Sequence, residues 1–186
     1  MYAALAEIFG LIVFPHIAKF IPKKKIYLLS ALLPTAGLLL LLTIGFVAPT
    51  NALLTAIAGI GLRLGSGLQL GTVTVMLADV VDYGEYKLGT RNESVIFSLQ
   101  TLLVKFASAL GALFTGFALD LTGYIPDAVQ SVTTLNGIRF VMIILPIIFV
   151  AISYCIYFKY YKLNDGLIKT IMVSLNDKRQ RNKIYN

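Results

Sequence analysis

Five apolar stretches, each close to the length of a bilayer crossing, divide this chain of 186 residues. A hydrocarbon core of about 30 Å calls for about 20 mostly apolar residues, since an α-helix rises about 1.5 Å per residue. The stretches run from Tyr2 to Ala18, Ile26 to Val47, Ala52 to Ala78, Ser94 to Leu119 and Ile138 to Phe158. Hydrophobic residues make up 58% of the chain and charged ones 13%, whereas a soluble domain carries about a quarter of charged residues. One core of this size could not hide so much apolar sequence from water. The expected fold class is therefore an all-α polytopic membrane protein.

The net charge of +7 is arranged for a membrane and not for nucleic acid. Its cations cluster beside the apolar stretches, at Lys19, Lys23, Lys24 and Lys25, and again at Lys178, Arg179, Arg181 and Lys183. Such clusters mark the cytoplasmic flanks of membrane helices. The basic turn after the first stretch, the polar stretch Asp79–Glu93 and the tail are then cytoplasmic. The connections Ala48–Asn51 and Asp120–Asn136, which carry no Lys or Arg, are external. From Asn164 onward Leu167, Ile168, Ile171, Met172 and Leu175 recur at helical spacing beside Lys169, which predicts an amphipathic helix over the tail. With one Cys (Cys155) and one His (His16), a His/Cys metal site has no material, and no Ser/His or Cys/His pair sits at matching depth for an intramembrane enzyme. The first stretch lacks a basic flank and a small-residue cleavage site, so it does not read as a signal peptide.

Charges inside the membrane are expensive and point to function. Ser94, Ser98, Thr101, Lys105 and Ser108 are separated by 4, 3, 4 and 3 positions, which puts all five on one helical face. Lys105 lies near the middle of its span and must face a wet cavity or a carboxylate. Ser108, Ala112 and Gly116, and Gly111 with Thr115, form small-residue series that favour close helix packing. Arg63, also near mid-depth, is surrounded by Gly59, Gly61, Gly65, Gly67 and Gly71, a density that predicts close contacts or a bend. Its charge reads either as a second cation of the cavity or as a paired structural arginine. Glu7, in the first stretch, reads as an interfacial or cavity-lining carboxylate.

The polar stretch Ala78-Asp79-Val80-Val81-Asp82-Tyr83-Gly84-Glu85-Tyr86-Lys87-Leu88-Gly89-Thr90-Arg91-Asn92-Glu93 alternates acidic and basic groups at a membrane edge. By spacing alone it is either a solvated loop or a set of ion pairs that latch two bundles. This run, the "FSLQTLLVK" that follows, the turn "FPHIAKFIPKKK" and the ending "LPIIFVAISYCIYFKYYKLNDGLIKTI" resemble the glycoside–pentoside–hexuronide:cation symporter family, and within it the melibiose carriers. The resemblance covers essentially the whole chain. It implies that residues 1–163 form a five-helix bundle matching helices eight to twelve of a twelve-helix carrier, a major-facilitator-type C-terminal half, and that residues 164–186 are a cytoplasmic tail.

Several roles follow from the resemblance. Lys105 matches a lysine close to sugar and cation sites, and Gln100, Thr101 and Val104 match its cavity-facing neighbours. Asp79, Asp82, Glu85, Arg91 and Glu93 match polar positions of a cytoplasmic gate linking the halves. The coupling cation, Na+ or H+, would bind mainly in an N-terminal half that these residues do not include, and no covalent cofactor is implied. The implied partners are a sugar, the lipid bilayer of a bacterial inner membrane and that N-terminal half. Leu70 stands where melibiose carriers have a tryptophan, and Arg63 where they have an uncharged residue. An acidic or heavily hydroxylated sugar in a cavity made cationic by Arg63 and Lys105 is the expectation. The chain then reads as a portion of a sugar:cation symporter that is inactive alone, with a non-transporting membrane interaction protein on the same scaffold as the alternative.

Overall fold

The computed structural model describes residues 2–48 and 50–185, with side chains described from Ala4 to Arg181; Pro49 and the Lys183 side chain lie outside the described residues. Seven α-helices follow one another: α1 (Tyr2–Ile17), α2 (Lys23–Val47), α3 (Ala52–Leu88), α4 (Glu93–Leu121), α5 (Val132–Arg139), α6 (Leu145–Tyr160) and α7 (Asp165–Tyr185). A π-helical turn, Phe140–Ile144, joins α5 to α6, so Val132–Tyr160 is one helical run. Among the described residues four helices are long and apolar enough to cross a membrane: α2, α3, α4 and the α5–α6 run. The first of the five expected spans is the 16-residue α1, about 24 Å long at 1.5 Å per residue.

Local chemistry sets the helix ends. Asn51 opens α3 by accepting the Leu54 N–H at 3.1 Å, and Gly89 closes it in the left-handed conformation, with φ of 76°. Ser131 opens α5 by accepting the Thr134 N–H at 3.1 Å. The buried Thr134 hydroxyl then donates to the Thr122 carbonyl at 2.9 Å and ties the connection between α4 and α5 together.

One expectation fails here. The stretch Asp79–Glu93 is not a loop: α3 continues through Asp79, Asp82 and Glu85 to Leu88, and only Gly89–Asn92 turns. Asp79, Asp82 and Glu85 are three residues apart and share a helix face. Their charge marks the point where the helix leaves the apolar zone, not the point where it stops.

α3 packs along both α1 and α2, and glycine permits the approach. A Cβ on Gly67 would strike the Glu7 carbonyl of α1, and one on Gly10 would strike the Leu64 carbonyl of α3. One on Gly65 would run into the Pro34 ring of α2, and one on Gly71 would stand 2.8 Å from the Phe14 ring. Gly59 and Gly61, in contrast, face open space, so only part of the glycine cluster serves contacts. Phe14, Ile26 and Leu68 form the buried centre of this three-helix core.

α6 reaches the core through aromatic rings. Tyr27 of α2 packs on Tyr157 at 4.0 Å between centroids and shares a 3.1 Å hydrogen bond with the Ser153 hydroxyl. At the other end, Arg139 donates to the Gly45 carbonyl at 2.8 Å and lies over the Phe46 ring. α7 docks on the end of α3: its Ile168, Ile171 and Leu175 are buried with Tyr83 and Leu163. Those three residues belong to the expected apolar face of the tail helix, while Leu167 and Met172, also expected there, are exposed.

Candidate functional site: the bare helix, the seam and the charged clamp

α4 is the helix that the core leaves alone. No residue of α4 is buried. The Ser98, Thr101, Lys105 and Ser108 stripe is exposed throughout. Thr101 donates its hydroxyl to the Phe97 carbonyl at 2.9 Å, and Ser108 donates to Val104 at 2.9 Å, which leaves both oxygens free to accept. Among the described residues Lys105 makes no hydrogen bond and no ion pair, so its three donors are unused. Gln100 and Val104 do not share this face. At about 100° per residue they point about 140° and 100° away from Lys105, toward the side of α4 that carries Gly111, Phe114 and Thr115. That side borders an apolar groove of about 790 Å³, closed on its far wall by Val141, Leu145 and Phe149. The small residues Gly111 and Gly116 meet nothing within 4 Å, so their packing face is unfilled.

Arg63 is not a second free cation. Its Nη1 donates to Glu7 Oε2 of α1 at 3.1 Å, across the seam where the α1 and α3 backbones touch. The pairing cancels the charge expected to add to that of Lys105, and no bond joins Arg63 to Lys105 among the described residues. Both partners stay accessible, with side-chain exposures of 51% for Arg63 and 36% for Glu7. Leu70, seven positions further along α3, is exposed close to the same helical face. Neither residue alone announced this pair, because the two lie 56 positions apart in the chain.

At the far end of α3 every carboxylate of the expected gate is engaged from within the chain. Asp79 is buried, takes Lys23 Nζ at 2.6 Å and accepts from the Tyr161 hydroxyl at 3.4 Å, which joins α2, α3 and the segment after α6. Arg91, in the turn after α3, donates to Asp82 at 2.7 Å, Glu85 at 2.9 Å and Glu93 at 2.9 Å. Glu85 is also held by Arg179 of α7 at 2.7 Å. Hydrogen bonds from Arg179 and then Arg91 pull the Glu85 carboxyl below its ordinary range. Those from Asp82, Glu85 and Glu93 raise Arg91 further above its own. The structure thus brings Asp82, Glu85, Arg91 and Glu93 into one cluster, keeps Asp79 in a second, and adds Lys23, Tyr161 and Arg179, which sequence spacing did not connect to them. Among the described residues no group of three or more His, Cys, Asp or Glu side chains is arranged to hold a metal.

The model of the family described as "MFS/sugar transport protein" matches residues 1–165. This chain belongs to the glycoside–pentoside–hexuronide:cation symporter family. Its relatives are transporters and not enzymes. It is 32% identical to the glucuronide carrier protein homolog of Escherichia coli (strain K12), an alignment that covers 89% of this chain and 35% of the relative. It is 33% identical to the isoprimeverose transporter of Lactiplantibacillus pentosus, over 94% of this chain and 36% of that protein. A putative sulfoquinovose importer of Escherichia coli (strain K12) is 28% identical over 92% of this chain and 36% of its own length. The chain therefore spans about a third of the length of these symporter-family relatives, and its membrane-length helices fit a multi-pass membrane protein.

Proposed function

We propose that this chain supplies the C-terminal wall of a sugar:cation symporter and that transport requires a second bundle closing on α4. The observation that carries the proposal is Lys105, an ammonium without a partner among the described residues, in the middle of a membrane-length helix that they do not bury. A lipid-facing lysine at that depth would cost several kcal/mol, so the stripe around it belongs against water and a partner. Substrate sites of such carriers lie between two repeats near the midplane. Relatives named for a glucuronide, for isoprimeverose and for sulfoquinovose support a sugar as the substrate. Lys105 and Thr101 bind it from α4, and Gln100 and Val104 set the neighbouring wall toward the groove. The coupling cation, Na+ or H+, binds mainly in the other half.

In this reading residues 1–163 are the membrane bundle and 164–186 the cytoplasmic tail, in a bacterial inner membrane. Asp79, Asp82, Glu85, Arg91 and Glu93 act as the cytoplasmic gate. The tail and the clamp share the side of the basic Lys23–Lys25 turn, in line with the excess of cations on cytoplasmic flanks. Proteoliposomes holding only these 186 residues are expected to show no cation-dependent sugar uptake, and co-reconstitution with the N-terminal half of the same carrier is expected to restore it. Uptake by the short chain alone would refute the need for a second bundle. A Lys105→Gln carrier as active as the parent would end the transport assignment.

A further inference from the structure

We propose that Arg63 is the acid-recognising residue of the sugar site, binding a carboxylate or sulfonate on the substrate, while Glu7 positions its guanidinium from α1. This inference rests on the symporter reading above. Arg63 lies 11 positions into α3, about 17 Å from the start of the helix, which is near the middle of a bilayer core of about 30 Å. At that depth a pair whose side chains are 51% and 36% exposed cannot rest against lipid without a large desolvation cost. Its open side therefore faces the wet cleft that the second bundle closes.

The geometry of the pair shows what remains for a ligand. Glu7 engages one nitrogen, Nη1, through one oxygen at 3.1 Å, which is longer than the usual 2.7–2.9 Å of a charge-assisted bond. A guanidinium has five N–H donors in a planar fork, and no other acceptor for Arg63 occurs among the described residues. The remaining donors present the bidentate edge that matches a carboxylate or sulfonate. Glu7 is itself held firmly. Its backbone carbonyl sits against Gly67, one turn along α3 from Arg63, where no side chain could fit. A fixed Glu7 thus orients the fork and keeps the empty site neutral, while the exposed edge selects for an acidic sugar. The Leu70 side chain on the same face offers no hydrogen bond that would favour a neutral one.

The test is a competition between p-nitrophenyl glucuronide and p-nitrophenyl glucoside for uptake by the full carrier that contains this chain. The parent carrier is expected to prefer the glucuronide, and Arg63→Gln to lower the glucuronide-to-glucoside ratio of kcat/KM at least about tenfold, equivalent to ~1.4 kcal/mol of discrimination. The double variant Glu7→Gln/Arg63→Gln removes both charges together, so that neither is left unpaired, and is expected to show the same loss without a misfolding penalty. Arg63→Lys, which keeps the charge but not the fork, is expected to recover only part of the ratio. An unchanged ratio in the double variant would overturn this inference and leave the symporter reading intact. Uptake of neither compound by the parent carrier would overturn both.

Discussion

The two ends of the polar inventory in this chain behave differently. At the end of α3 Asp79, Asp82, Glu85, Arg91 and Glu93 are satisfied by one another or by Lys23, Tyr161 and Arg179. Along α4, at membrane depth, Lys105 has no partner among the described residues and its helix buries nothing. Paired charges hold this bundle and its tail together. In the proposed function the unpaired charge, in a place where it costs most, is left for something that arrives from outside. The Glu7–Arg63 pair falls between these cases, joined within the chain but with most of its donors unspent.

The sharpest way to break this contrast is to remove the unpaired cation. Lys105→Gln is expected to lower cation-dependent uptake by the full carrier about 100-fold, or ~2.7 kcal/mol in the barrier. The same change should leave the thermal unfolding of the purified 186-residue chain within about 0.5 kcal/mol of the parent. A destabilised chain would place Lys105 in a structural contact and merge the two regions.

Next comes the clamp. Asp79→Ala leaves Lys23 beside a buried gap, and because Lys23 is partly exposed the expected cost is about 3 kcal/mol, the low end for breaking a buried pair. Denaturant titration in detergent measures it. A smaller effect separates packed from open glycines. Gly67→Ala forces α1 away from α3 and is expected to cost about 2 kcal/mol, whereas Gly111→Ala, facing open space, should cost nothing measurable in the isolated chain. In the full carrier Gly111→Ala becomes informative: a loss of activity or assembly there would show that a helix packs against α4.

The smallest effect concerns pH. The Glu85 carboxyl is lowered in the folded chain by Arg179 and Arg91, so its contribution to tail docking is complete above the ordinary carboxylate value of 4.5. It is lost as pH falls through the lowered folded value. Spin labels placed on α3 and α7 should therefore separate in acid, and Arg179→Gln should weaken docking at neutral pH. Persistence of the docked distance in the variant would assign the docking to Ile168, Ile171 and Leu175 alone.

The sequence made the membrane helices legible because apolar runs must match bilayer thickness. The expected Ile26–Val47 differs from α2 by three residues at one end, and the tail helix was visible from its spacing. The reading failed where polarity changed without a change in backbone. Asp79, Asp82 and Glu85 were assigned to a loop although their three-residue spacing is helical and Gly89 is the stop signal. Residues 132–136, the first part of α5, were likewise read as connection, although Ser131 is a standard N-cap residue. For the candidate site the stripe around Lys105 followed from helical periodicity, whereas the partners of Arg63, Asp79 and Glu85 did not. Those bonds span 56, 56 and 94 positions and depend on how helices pack, which periodicity does not encode.

The length of α3 has a mechanical consequence. Helix continues for about 15 Å past Ala78 without a hinge, so the spanning part and the acidic tip form one stiff rod. A change of tilt within the bilayer is then delivered undamped to the carboxylates at the tip, and the tail gripped by Glu85 must swing with them. Rocking of this bundle would register outside the membrane as a sweep of α7, a lever arm whose fulcrum is the glycine crossing with α1.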